Sequence, residues 1–121
     1  MKKTIIEQGE VKVGWQARQG DVFLEKIDDL PTGLEEVKPD VGRVILAYGE
    51  ATGHAHTIPS THARHFRAKG STAETLTSYL SVTKATKLSH EEHGPIPLKI
   101  GNYEITTQRE YTPAGIERVV D

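Results

Sequence analysis

Cysteine is absent from the 121 residues, which excludes disulfide frameworks, thiolate zinc sites, iron–sulfur clusters and cysteine nucleophiles together. Any metal would have to bind through His, Asp or Glu. Long apolar runs are missing as well. "MKKTIIEQGEVKVGW" carries the two lysines of a signal peptide but only Thr4, Ile5 and Ile6 before Glu7, far short of the roughly 7–15-residue apolar core that such a peptide needs. Nowhere do about 18 apolar residues follow one another, so no spanning helix is expected. A soluble protein, cytoplasmic or virion-associated, with no signal peptide and no membrane partner is the expectation. Charge of one sign is lacking too, with 15 basic against 17 acidic residues and a net charge of −2. No global excess advertises a nucleic acid or a membrane surface. Apolar residues make up only 36% of the chain, below the ordinary globular share, so the core should be thin.

The length suits one domain, and 1–121 is read as a single β domain whose first 17 residues are loosely attached. Strand-like runs broken by Gly and Pro dominate, and turn signals recur at short intervals. The expected fold is all-β, a small barrel or sandwich of about 6–8 short strands. Residues 21–27, 43–48, 76–88 and 102–111 are rich in β-branched and aromatic side chains and each reads as a strand. In the last of these Tyr103, Ile105, Thr107, Arg109 and Tyr111 alternate with polar residues, a period of two with one half-buried face. In the long central run Leu80, Val82, Thr86 and Leu88 share the inward parity, and His90 would extend it. Residues 28–42 read as a surface loop with one helical turn near Leu34 to Val37. Trp15, the only tryptophan, should anchor the amino-terminal segment on the core.

Charge is unevenly spread. Residues 54–90 hold five cations against one carboxylate, and Arg64, Arg67 and Arg109 are the candidate anion-binding side chains. A nucleic-acid partner would use this patch, although few aromatics interleave with it to stack bases. The alternative is that these cations sit beside carboxylates of neighbouring strands.

All six histidines fall within residues 54–93. "GHAH" sets His54 and His56 two apart, which on a strand places both rings on one face, within reach of one metal ion. "HEEH" sets His90 and His93 three apart. They share a face on a turn but not on a strand, and Gly94-Pro95 directly after favours the turn. The candidate metal ligands are therefore His54, His56, His90 and His93, with a carboxylate from Glu50, Glu91 or Glu92, in a site suited to Zn, Mn, Fe or Ni. With a position left open, Glu91 or Glu92 would act as general base in a metal-dependent hydrolase or lyase. The same ion could instead only tie residues 49–58 to residues 88–95. A neutral hydrogen-bonded histidine network and a proton-driven switch are the readings without metal. His62 and His65 are the least suited to ligation.

The blocks "RQGDVFL", "LAYGEATGHAHTI", "LSHEEHGPIPL" and "QREYTP" give the chain, over residues 18–121, a resemblance to a group of short proteins of bacteria and their phages. The group has Leu-Pro-Pro-Gly where this chain has Leu98-Lys99-Ile100-Gly101. The resemblance carries no activity with it. It does imply an alternative to metal chemistry, a phage-type structural or protein-interaction module that assembles with copies of itself or with a virion partner. A weaker resemblance is to cupins, which hold a metal on a β-barrel through a His-x-His element, a carboxylate and a later histidine. The glutamate that cupins place a few residues after the second histidine is missing here, where Thr57-Ile58-Pro59-Ser60-Thr61 follows.

Overall fold

The computed structural model describes residues 11–48, 54–71 and 76–107. They form ten strands and no helix: β1 (Gln16–Gln19), β2 (Val22–Ile27), β3 (Leu34–Val37), β4 (Arg43–Tyr48), β5 (Ala55–Pro59), β6 (Ala63–Ala68), β7 (Thr77–Val82), β8 (Thr86–Leu88), β9 (Ile96–Leu98) and β10 (Gly101–Thr107). The all-β class is as expected, with more strands than the sequence pattern suggested. Six of them make one antiparallel sheet in the order β1-β2-β10-β7-β6-β3, while β4-β5 and β8-β9 are separate hairpins. Among the described residues β1 and β3 remain unjoined edges, so the sheet is open. Of the two expected forms, barrel or sandwich, no closed barrel is seen among the described residues, which also departs from the closed barrel that the cupin resemblance implied.

Alternation builds the core. Val22 and Leu24 on β2, Leu80 and Val82 on β7, and Tyr103 and Ile105 on β10 are buried, while the residues between them are partly exposed. Register aligns Lys26, Tyr103, Leu80 and His65 in one inward row across β2, β10, β7 and β6. Val44, Leu46 and Ile58 from the β4-β5 hairpin and Leu88 and Leu98 from β8-β9 join the same apolar cluster. Both hairpins thus bury their inner side chains with that face of the large sheet, which removes their apolar area from water. They are tied to each other by a two-way backbone pairing of Thr57 with Ser89, both bonds 2.9 Å. Trp15 packs on this core, its ring edge-on to Tyr103 with centroids 6.0 Å apart.

Two local expectations are corrected. The run at 76–88 is two strands, because the Thr83 and Lys84 N–H groups both donate to the His62 carbonyl, which lifts the chain off the ladder before β8. Leu34–Val37 is a strand rather than a helical turn. It pairs with β6, and its Glu36 accepts two hydrogen bonds from Arg64. The continuation of the last strand through Arg109 and Tyr111, and the tail beyond, lie outside the described residues.

The turn before β4 carries backbone strain. Asp40 and Arg43 exchange both backbone hydrogen bonds, and between them Val41 and Gly42 have φ of 52° and 77°. Positive φ at both central residues is the type I′ pattern, for which Asn-Gly is the preferred pair and a β-branched residue is an outlier. Val41 is 86% exposed and gains little from burial there. Val41→Asn is expected to stabilise the protein by about 1 kcal/mol in urea unfolding; an unchanged or lower midpoint would show that the strain is not relieved.

Candidate metal centre

His56 is the centre of the site. It projects from β5 to 1% exposure, opposite an irregularity in β4 where the register jumps from Ile45 with Thr57 to Ala47 with His56. Leu46 is the extra residue of this β-bulge, a device that twists a strand and re-aims side chains. The buried ring meets Gln19, the last residue of β1, which is 2% exposed. The Gln19 amide nitrogen donates to the carbonyls of Leu88 (3.0 Å) and Gly94 (2.8 Å). Its oxygen is therefore the atom 2.8 Å from His56 Nδ1. That oxygen can only accept, so Nδ1 carries the proton and Nε2 holds the lone pair. Burial foremost, then the neighbouring His90 ring, pushes the His56 pKa down to about 4 against the partial opposition of Asp21. At neutral pH the ring is uncharged.

His90 and His93 lie against His56, and His54 adjoins His90. The His90 ring centroid is 4.4 Å from that of His56, 4.6 Å from His93 and 5.6 Å from His54, and His56 and His93 stack nearly parallel at 6.1 Å. The "HEEH" turn achieves this by wrapping on itself. His90 Nδ1 accepts the Glu92 N–H at 3.0 Å and the His93 N–H at 3.4 Å, so residues 91–93 bend back and His93 returns toward His90. His54, just before β5, faces Glu92 through Nδ1 at 3.4 Å. Glu91 accepts the Ala55 N–H at 2.9 Å, and this bond above all, with that to its own N–H, holds its carboxyl below the usual range. Ligand atoms of His54, His90 and Glu91 all lie within 4.8 Å of one another, beside an open hollow lined by Ala55, Thr57, Ser89, His90 and Glu91.

The structure thus brings His54, His56, His90 and His93 together with Glu91 and Glu92. Glu50 and Arg109 lie outside the described residues. Arg64 and Arg67 are on β6, where Arg64 makes a bidentate pair with Glu36 at 2.8 and 3.2 Å and lies 5.3 Å from the centre of the Phe66 ring. Arg67 stands opposite Glu35 in the β3–β6 register. The remaining histidines have other partners. His62 Nδ1 is 2.9 Å from Thr86 Oγ1, and buried His65 has Nε2 2.9 Å from Ser78 Oγ.

Sequence reasoning missed the third wall of the site, the Gln19-Gly20-Asp21 turn between β1 and β2. Gly20 has φ of +61°, as the first residue of a two-residue hairpin turn of the II′ kind prefers. A Cβ on it would come 2.8 Å from His93 Nε2 and 3.3 Å from His56 Cε1, so the absent side chain is what lets the turn lie against the imidazoles. The only available signal was a Gly-Asp pair between two strand patterns, which predicts a hairpin but not what the hairpin touches.

Residues 18–108 match the family model of a domain of unknown function, DUF8820. The chain belongs to this family. No curated protein and no solved structure matches it. The DUF8820 match takes in the Gln19-Gly20-Asp21 turn and all four clustered histidines, so the whole candidate centre lies inside the family's domain. No helix among the described residues is long and apolar enough to cross a membrane.

Proposed function

We propose that this protein binds a divalent cation, Zn, Mn, Fe or Ni, at the cluster of His54, His56, His90 and His93. One observation carries the reading. His56 turns Nδ1 to the Gln19 side-chain oxygen at 2.8 Å, which leaves its Nε2 as the basic atom, and His54 Nδ1 stands 3.4 Å from the Glu92 carboxylate. Metal-ligating histidines are held in this way, one ring nitrogen fixed by an oxygen acceptor and the other on the ion. Imidazoles with a nearby carboxylate suit the borderline metals, with Mn favoured only if carboxylates dominate the set. His90 differs from its neighbours. With Nδ1 accepting two N–H groups, its neutral ring carries the proton on Nε2, so ligation through Nε2 requires the turn to give up those bonds.

The cluster joins the β1–β2 turn, the start of β5 and the loop between β8 and β9. An ion there would cross-link three segments of a thin-cored domain and stabilise it. If the ion also serves a hydrolase or lyase, Glu91 and Glu92 are the carboxylates positioned as general base. Binding is the better supported of the two roles, since Arg64, expected to hold an anionic substrate, is already engaged by Glu36. Metal content of the purified chain, with and without the His54 and His56 side chains, tests the proposal.

A further inference from the structure

We infer that Asp21 is a ligand of the proposed ion, and that the ion sits between its carboxylate and His56 Nε2. The inference rests on the reading of the cluster as a cation site and gives that ion an address. His56 Nε2 and Asp21 Oδ1 face each other at 3.6 Å, with the His56 side chain 2% exposed and that of Asp21 44% exposed. This is too long for a hydrogen bond. It is also the wrong chemistry for one. The Gln19 oxygen has already claimed the imidazole proton at Nδ1, so Nε2 presents a lone pair, and an ionised carboxylate has only lone pairs to offer. Two acceptors 3.6 Å apart repel unless something positive lies between them.

Among the described residues no hydrogen-bond donor reaches Nε2. A buried acceptor left without a donor is costly and rare, and the separation fits a shared ion. Two ligand atoms on one tetrahedral zinc, each about 2.0–2.1 Å from it, stand roughly 3.3–3.4 Å apart. A shift of a few tenths of an ångström in the half-exposed Asp21 side chain closes the difference. His93, whose Nε2 lies against Gly20, is the neighbouring imidazole on the same side as the turn. The three residues of the turn then have separate tasks: Gln19 fixes the His56 ring, Gly20 leaves room for His93, and Asp21 supplies the carboxylate.

Calorimetric titration of the full chain with Zn²⁺ and with Ni²⁺, run for the wild type, Asp21→Asn and Asp21→Ala, tests this. Asn retains the shape and can donate an N–H to Nε2, so metal-free Asp21→Asn should melt no lower than the wild type. Both variants should bind metal about tenfold to a hundredfold more weakly. Wild-type binding that neither variant weakens would overturn the assignment of Asp21 and leave the cluster reading standing. A flat wild-type titration would overturn both. A readout without metal is the ¹⁵N spectrum of the His56 ring in EDTA. The proton is expected on Nδ1, and a proton on Nε2 would remove the facing lone pairs and with them the inference.

Discussion

Gln19→Leu is expected to destabilise the metal-free protein by about 2 kcal/mol, because it leaves His56 Nδ1–H buried without a partner, at roughly 1–3 kcal/mol, while the Leu88 carbonyl keeps its ladder partner Ile96. Gly94 contributes less, since it is exposed and water can replace the lost donor. The substitution keeps the approximate volume, so the loss measures the polar network rather than a cavity. It should also abolish tight metal binding, since nothing then fixes which nitrogen of His56 carries the proton. Urea unfolding in EDTA reads the first effect and metal titration the second. A destabilisation below about 1 kcal/mol together with unchanged metal affinity would contradict the role given to Gln19.

The second large effect is acid unfolding. His56 and His65 are both buried, and burial lowers each pKa from 6.5 to about 4, helped by His90 in the first case and Arg67 in the second. Below pH 6.5 the unfolded chain takes up these two protons while the folded chain does not, so stability falls as pH drops. The contribution is complete above about pH 6.5 and spent near pH 4. Each shift corresponds to roughly 3 kcal/mol. Together they rival the total stability of a small domain, about 5–15 kcal/mol. The metal-free protein should therefore lose stability steeply between pH 6 and 4. Urea midpoints measured across this range should fall steadily, and a constant midpoint from pH 7 to 4.5 would refute the buried neutral histidines. Bound metal should protect the His56 share and leave that of His65.

Much of this could be read from the sequence because strands expose their period directly. The alternation through Tyr103, Ile105 and Thr107 and the common parity of Leu80, Val82 and Leu88 correspond to their burial. The two histidine pairs were visible for a similar reason, since spacings of two and three residues restrict where rings can point. What escaped depends on contacts between segments distant in sequence. Leu34–Val37 becomes a strand only because β6 offers an edge to it, and Thr83–Lys84 breaks a run of good strand formers only because the His62 carbonyl takes their N–H groups. Gln19 and Asp21 belong to the site through the fold. They are 37 and 35 positions from His56 in the chain, and no spacing rule connects them to it.

The central claim is that the histidine cluster holds a metal ion, and elemental analysis of protein purified without a histidine tag tests it most directly. The wild type should carry close to one Zn, Mn, Fe or Ni per chain, as purified or after reconstitution, and a His54→Ala, His56→Ala variant whose circular dichroism remains that of a folded β protein should carry none. A wild type that stays metal-free after reconstitution with each of the four metals would contradict the claim and turn the cluster into a hydrogen-bonded structural element of an interaction module.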